Sequence, residues 1–391
     1  MRLEIYAANL RTGGAVVTTA SLIDGIVDVV SSGSVAWLES VDLIVSPQVA
    51  ANISRRPPLE FSSRLRAIER EDHPASAILR RSGSGIDVRY VVFGPDYLQS
   101  RATITVAGFA DGTLLPSWKA EPNDGTAPSP PSLTESLKRR LKRRRLRTYD
   151  AYTTQTTAMA ASVNAACGPK PTLVLPNVLA APFLRQAQRR TIHLPPRDAG
   201  ETRLFYPARG YPHKNHQALV PIVRAYRRMF NETLTVVVTL EDEEFQRVFE
   251  TDSTGILNVG HVAPSLLPGL FESTDALLFP SLNETFSSAP LEAAYMKRPI
   301  IACDLPFNRD LLGDHASYFS PHDPEDAARR IRHVVEGPQL GDEDLAAQIE
   351  AANRWAEGFS DPAALTLRLL DFLRRCHSQS PRSQAGHRVA S

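Results

Sequence analysis

Leu204–His216 reads LFYPARGYPHKNH. The apolar run Leu204–Ala208 is too short for a buried helix and is closed off by glycine and prolines, so it predicts a β-strand. An amphipathic stretch over Asn215–Met229 follows, and strand followed by helix is the unit of a parallel α/β sheet. The same alternation runs outward in both directions. Downstream, Leu234–Leu240, Ile256–Val259, Ala276–Phe279 and Ile300–Ala302 read as strands. Helices are predicted near Asp242–Phe249, Leu267–Ser273, Pro290–Met296 and Phe307–Leu312, then over Pro324–Val335, Asp344–Trp355 and Pro362–Arg375. Upstream, Leu3–Ala8, Leu43–Ser46, Tyr90–Phe93 and Thr103–Val106 read as strands, with Ala151–Gln155 and Thr172–Leu175 completing that sheet. The fold class is therefore α/β, with two Rossmann-like, doubly wound domains.

The 391 residues, 42% of them hydrophobic, suffice for two such cores. A boundary is expected near His193–Glu201, where prolines, glycine and charge meet. This makes residues 1–197 one domain and 198–360 the second, with a helix over 361–376 and an irregular tail over 377–391. Glu121–Ser132, EPNDGTAPSPPS, offers too little apolar surface to offset its ordering entropy. A net charge of +1 gives no global field towards nucleic acid. Cys167, Cys303 and Cys376 are too scattered for a disulfide framework or structural zinc. The start lacks a signal-peptide core, and no run of about 18 apolar residues occurs, so a soluble cytoplasmic enzyme is expected.

Ligands of open α/β sheets bind beyond the carboxyl ends of the strands. In the second half those ends carry Arg209 to His216, then Gly260-His261-Val262, then Glu284-Thr285-Phe286-Ser287-Ser288 and Glu292. Arg209 offers a planar fork for phosphate oxygens and Lys214 a compact charge; both are equally at home as solvated loop cations. Ser281-x-x-Glu284 also fits a capping box, and Glu292 fits a carboxylate favoured by a helix dipole, with Ser287 and Ser288 as caps. In the first half, Gly13-Gly14 follows the first strand and would let backbone approach a ligand closely.

The blocks Phe205–His216, Asn258–Val262 and Asp275–Asp304, the last holding Glu284 and Glu292 eight positions apart, together resemble glycosyltransferase family 4. That resemblance implies the GT-B fold, two Rossmann-like domains facing across a cleft, and transfer of a sugar with retained configuration. It matches Arg209 and Lys214 to diphosphate-binding cations, Glu292 to the ribose contact and Glu284 to a group facing the transferred sugar. Thr285–Ala289 matches backbone that meets sugar and phosphate, and Gly13–Gly14 matches the loop closing over the donor. FGPDYL (residues 93–98) and AGFADGTLLP (107–116) are similar to members that build bacterial surface polysaccharides: lipopolysaccharide O-antigen, capsule or exopolysaccharide. Two departures stand out. The common Glu-Gly-Phe-Gly core is Glu-Thr-Phe-Ser here, and no N-domain histidine matches the one often placed beside the sugar. His73 lies in a polar stretch, leaving the region of Asp111 or no contact at all.

The resemblance implies a nucleoside-diphosphate sugar as donor and a glycan, or a polyprenyl- or lipid-linked glycan, as acceptor. No metal and no other cofactor are expected: Asp342-Glu343-Asp344, the sole Asp-x-Asp, lies far from the motif edge, and His213 with His216 lacks a convergent third ligand. A GT-B epimerase or hydrolase, and a non-catalytic nucleotide-sugar-binding protein, are the competing classes. Finally, Ser136–Arg147, SLKRRLKRRRLR, carries eight basic residues between Lys138 and Arg147. It predicts a basic amphipathic helix, either a solvated face whose leucines pack on the N-domain or a contact with anionic lipid involving Arg143, Arg144 and Arg145. The lipid reading would place the enzyme peripherally at the inner face of the plasma membrane; without aromatics in the run, nucleic acid is not an expected partner.

Overall fold

The computed structural model describes residues 1–11, 13–53, 60–62, 65–69, 85–96, 101–110, 112–115 and 133–383. His73, Asp111, Glu121–Ser132 and the tail from residue 384 lie outside them.

The first unit runs β1 (Arg2–Ala7), α1 (Gly14–Ser31), β2 (Ser40–Val45), α2 (Pro47–Asn52), β3 (Glu60–Ser62), β4 (Leu65–Glu69), β5 (Val88–Val91), β6 (Ile104–Phe109), α3 (Leu133–Leu146), β7 (Ala151–Thr154), α4 (Thr157–Cys167) and β8 (Thr172–Val174). Its eight strands lie in the order β3-β4-β2-β1-β5-β6-β7-β8, parallel except for the β3–β4 pair. By length and composition α1 could cross a membrane, but eleven of its residues are buried within this unit. Six of them, Val16, Leu22, Ile23, Ile26, Val27 and Val29, share a core with Leu3, Ile5 and Leu43 of the sheet.

The second unit runs α5 (Ala181–Leu184), β9 (Thr202–Tyr206), α6 (Leu219–Phe230), β10 (Leu234–Val238), α7 (Asp242–Val248), β11 (Ile256–Asn258), α8 (Leu267–Glu272), β12 (Ala276–Phe279), α9 (Ser288–Tyr295), β13 (Ile300–Cys303), α10 (Pro306–Leu312), β14 (Ser317–Phe319), α11 (Pro324–Leu340) and α12 (Glu343–Glu357). Every residue of β9, β12 and β13 is buried, as expected of parallel strands covered on both faces. Strand order is β11-β10-β9-β12-β13-β14, with all described pairs parallel. The order reverses between β9 and β12, which opens a crevice at their carboxyl ends.

The late helices start on side-chain caps. Asp323 accepts from the backbone N–H groups of Glu325 and Asp326 at 3.0 and 2.9 Å, and Asp342 from that of Leu345 at 3.0 Å. The Asp342–Asp344 run is therefore a helix start. After α12 the chain returns to the first unit as α13 (Pro362–Gln379), where Leu369, Leu370 and Leu373 join the core against α1. Gly25 permits that approach, since a Cβ there would sit 2.4 Å from Thr366 Oγ1 and 2.8 Å from the Pro362 carbonyl.

Two expected boundaries shift. The units divide at Val178/Leu179 and Ser360/Asp361 rather than at residue 197. Leu179 donates its N–H to Phe359 at 3.1 Å, Arg190 donates to Ser265 at 2.8 Å, and Phe183 meets Phe271 edge-on at 6.1 Å. The linker-like LPPRDAGE is instead a surface loop of the second unit, tied down where Arg197 pairs with Asp275 at 2.8 Å. At the other end, α13 continues to Gln379, past the expected residue 376, and belongs to the first unit.

Candidate active site

The loops after β9 and β12 flank the crevice and are bonded to each other four times. Leu282 donates its N–H to the His213 carbonyl at 2.8 Å, and Asn215 Nδ2 donates to Pro280 at 3.2 Å. Tyr206, fully buried at the end of β9, shares a 2.8 Å hydrogen bond with the equally buried Ser281 hydroxyl, and its oxygen also lies 2.8 Å from the Lys214 carbonyl. The fourth link is the ion pair of Lys214 with Glu284, in which both side chains keep a little solvent access. Asn215 sits in the left-handed region at φ 54°, which turns the chain back after Lys214. Lys214 and Glu284, seventy residues apart, are thus held face to face. Residues 281–287 form no helix and α9 begins only at Ser288, so Ser281 and Glu284 do not cap a helix as a capping box would.

Arg209, on the same loop as Lys214, is bound by two carboxylates from the neighbouring loop and helix. Its Nη1 lies 2.9 Å from Glu241 and its Nε 3.1 Å from Glu244. Gly210 makes room for this, since a Cβ there would stand 3.3 Å from Glu244 Cβ. The sequence reading does not single out Glu241 and Glu244, because the acidic run after β10 reads as an ordinary helix start. It also overlooked Tyr206 and Ser281, whose role is visible only once β9 and β12 are known to be neighbours.

Glu292 is the fifth residue of α9, beyond the first turn in which a helix dipole would favour it, and is 7% exposed. Burial alone raises its pKa to about 7. Ser287 occupies the N-cap position of α9 but its side chain makes no capping bond, and Ser288 is already helical. The expected serine caps are therefore not formed. Thr285 lies between Glu284 and α9, and Phe286 is buried, its ring 6.4 Å from that of Phe359.

At the edge of the sheet, two strands out from β9, Gly260 adopts φ 73° after β11, and open space surrounds the point where a Cβ would lie. Asn258 fixes that loop, its Oδ1 accepting from Leu240 at 3.0 Å and from Gly260 at 3.3 Å. His261 is exposed and Val262 half-buried beside it. In the first unit, Gly13 and Gly14 lie after β1 at the start of α1, with φ 75° at Gly13 and no atom within 4 Å of a Cβ at either.

The two histidines of the β9 loop have separate settings. His216 is 2% exposed and lies 4.8 Å from the Tyr206 ring; burial, then the Lys214 charge, pulls its pKa down to about 4, keeping it neutral. His213 stacks on Tyr211 at 5.7 Å. Among the described residues, no group of three or more His, Cys, Asp or Glu is placed to hold a metal ion.

Comparison with known proteins places the site in context. Residues 190–355 match the model of the family "Glycosyl transferases group 1", and all of Arg209, Lys214, Glu284 and Glu292 fall inside that segment. Curated relatives are matched over short stretches. Over 71 residues the chain is 34% identical to the serotype-specific mannosyltransferase WbdA of Escherichia coli, which is 18% of this chain and 9% of that one. Over 132 residues it is 26% identical to the O-antigen chain mannosyltransferase RfbU of Salmonella typhimurium, 33% of this chain and 37% of that one. The chain thus spans well under half the length of these relatives. Among solved structures, sucrose-phosphate synthase from Thermosynechococcus elongatus aligns with a TM-score of 0.65 at 12% identity, covering 97% of this chain and 99% of that one. HepE of Anabaena in complex with UDP-glucose aligns with a TM-score of 0.60 at 11% identity, covering 96% and 99%. The fold is that of a GT-B glycosyltransferase, as two parallel Rossmann-like sheets.

Proposed function

We propose that this protein is a retaining, metal-independent glycosyltransferase that moves a sugar from a nucleoside-diphosphate sugar to a glycan or lipid-linked glycan during bacterial surface-polysaccharide synthesis. The observation that carries it is the meeting of Lys214 with Glu284 across the β9/β12 crevice, with Arg209 on the same loop. The family match over residues 190–355 supports the reading. So does the likeness to O-antigen mannosyltransferases, which makes a mannose nucleotide the first donor to try.

In this mechanism both cations exchange a protein carboxylate for the donor diphosphate. Arg209 leaves Glu241 while Glu244 still orients it, and Lys214 turns from Glu284 towards the leaving group. The bond from the anomeric carbon to the phosphate oxygen breaks with its electron pair going to the diphosphate. The acceptor oxygen forms the new bond on the same face, and its proton passes to the departing phosphate oxygen. Negative charge on that group grows along this path, so two fixed cations act most strongly at the transition state. Glu284, released from Lys214, faces the transferred sugar. Glu292 takes the ribose hydroxyls, and the N-terminal N–H groups of α9 take phosphate oxygens. Gly260, His261 and Val262 border the donor. The two cations supply the charge stabilisation a divalent ion supplies elsewhere.

Thermal shift against UDP, GDP, dTDP and ADP sugars tests the donor: a hundredfold excess over Kd stabilises by about 2.7 kcal/mol. Product analysis with labelled donor then tests the reaction, with EDTA present. Transfer to an acceptor hydroxyl with an unchanged anomeric configuration is expected. Isomerised or hydrolysed donor without need of an acceptor would instead mark an epimerase or hydrolase, and strict dependence on added metal would defeat the metal-free mechanism.

A further inference from the structure

We infer that α3 docks the first unit on an anionic lipid surface, inserting Leu137 and Leu141 while Lys138, Arg140 and Arg144 engage the phosphate headgroups. This surface is remote in sequence from the crevice residues and stands whether or not the sugar-transfer reading holds.

The packing of α3 is the reverse of what an amphipathic surface helix usually does. Leu137 and Leu141, four residues apart and so on one face, are 58% and 55% exposed. Arg140, Arg144 and Lys138, all exposed, flank that leucine pair. The opposite side is fixed, with Leu146 fully buried and Arg143 Nε donating to the Leu114 carbonyl at 2.7 Å; at the end of the helix Arg145, one turn beyond Leu141, reaches both the Asp96 carbonyl and its Oδ1 at 3.2 Å. The guanidinium of Arg145 also lies over the Tyr149 ring at 5.3 Å. The helix is therefore held by two of its cations and presents its leucines outward. This corrects both sequence expectations. Leu137 and Leu141 do not pack on the domain, and Arg143 and Arg145 are anchors of the helix rather than contacts for lipid.

Two leucines ringed by cations match the interface of an anionic bilayer, where apolar side chains enter the acyl boundary and Lys and Arg stay at the headgroups. A nucleic acid would engage the cations and leave both leucines in water. A second copy of this helix would bring seven basic side chains against seven. The chain as a whole carries a net charge of only +1, so the positive field is concentrated on this element.

The experiment is flotation of the full chain with phosphatidylcholine vesicles, with and without phosphatidylglycerol, at low and high salt. Recovery with the anionic vesicles at low salt, falling at high salt, is expected. Arg140→Gln with Arg144→Gln should weaken partitioning about 30-fold, taking about 1 kcal/mol for each surface cation. Leu137→Gln with Leu141→Gln should weaken it about 10-fold and do so at every salt concentration, because loss of apolar burial is unscreened. All four positions are exposed, so the melting temperature should hold, which separates loss of docking from loss of folding. Equal recovery with neutral vesicles, leucine variants that bind like the parent, or tighter binding to duplex DNA than to anionic vesicles would each overturn the proposal.

Discussion

Two arginines, one in each unit, are each gripped by two carboxylates, but in opposite settings. In the first unit, Arg89 of β5 pairs with Glu4 of β1 and with Asp96, and it is 1% exposed. Tyr149 donates to the same Asp96 at 2.5 Å, and Tyr6 lies under the guanidinium at 4.4 Å. In the second unit, Arg209 meets Glu241 and Glu244 but remains 24% exposed, and Glu241 is 52% exposed. A sealed pair cannot trade partners, because each ion lacks water to take over its charge. An open pair can. Burial, more than the residue types, separates an ion pair that specifies a core from one that can yield to a ligand.

The largest effect should come from breaking the sealed cluster. Arg89→Leu leaves Glu4 and Asp96 buried without their cation, which should cost about 3–5 kcal/mol. For a chain with cores of this size the melting temperature should fall by roughly 6–20 °C, read by circular dichroism. A fall of a degree or two would mean that Arg89 is as dispensable as a surface pair, and the contrast with Arg209 would be lost.

Glu292 offers a second buried charge, this time without a cation. Its pKa of about 7 lies above the ordinary 4.5, so the unfolded chain ionises first as pH rises. The stability associated with the protonated group is fully present below about pH 4.5, erodes between 4.5 and 7, and is gone above that. Over that window the loss is about 3 kcal/mol. Glu292→Gln should therefore be more stable than its parent at pH 8 and close to it at pH 4.5, by urea melts at each pH. Equal differences at both values would show that the carboxyl is not held protonated. Under the proposed donor site, ribose hydroxyls donating to the carboxylate favour its ionised form. Donor binding near pH 7 should then release part of a proton, seen as a buffer-dependent calorimetric enthalpy.

Next are the open pairs. Arg209→Ala or Lys214→Ala should lower kcat/KM roughly 100-fold, the scale for losing one fixed donor to growing charge. Either should move the melting temperature far less than Arg89→Leu. Near-normal turnover in both variants would remove the diphosphate from this crevice, while a loss of fold would place these cations with Arg89 rather than against it.

Much of this was legible beforehand, for identifiable reasons. The strands β9, β12 and β13 are short, continuous apolar runs, so they were found to within a residue or two. Their carboxyl ends carried Arg209, Lys214 and Glu284, so the pairing edge could be named before any coordinates. Three strands were missed. β4, LRAIE, mixes Arg66 and Glu69 with its apolar residues and forms neither a continuous apolar run nor a regular alternation, and β3 and β14 are only three residues long. The division between units was misplaced because LPPRDAGE has a linker's composition but is anchored through Arg197 and Asp275. The partners of Arg209 were missed because the acidic run after β10 resembles an ordinary solvated helix start; only the fold brings it against Arg209.

That acidic run leads to the smallest expected effect and the finest test of the contrast. If the Arg209 pair is open by design, one of its two carboxylates is a competitor that a diphosphate displaces, and the more exposed Glu241 fits that part. Glu244, 11% exposed, approaches Arg209 through the space that Gly210 leaves and fixes the orientation of the guanidinium instead. Removing an exposed competitor returns at most what an exposed ion pair contributes, about 1 kcal/mol, which is an affinity gain of up to about 5-fold. Glu241→Gln should therefore tighten binding of the nucleoside diphosphate by a few fold, most visibly at low salt where the competing pair is strongest. Glu244→Gln should act in the other direction, lowering kcat with little change in KM as the guanidinium loses its fixed angle, with partial rescue by Glu244→Asp. Titration calorimetry of the diphosphate on both variants, beside their kinetics, decides the matter. Should the two glutamines behave alike, or should Glu241→Gln weaken the diphosphate, Arg209 would be held by a single structural cluster, and the difference between the two arginines would be one of exposure without exchange.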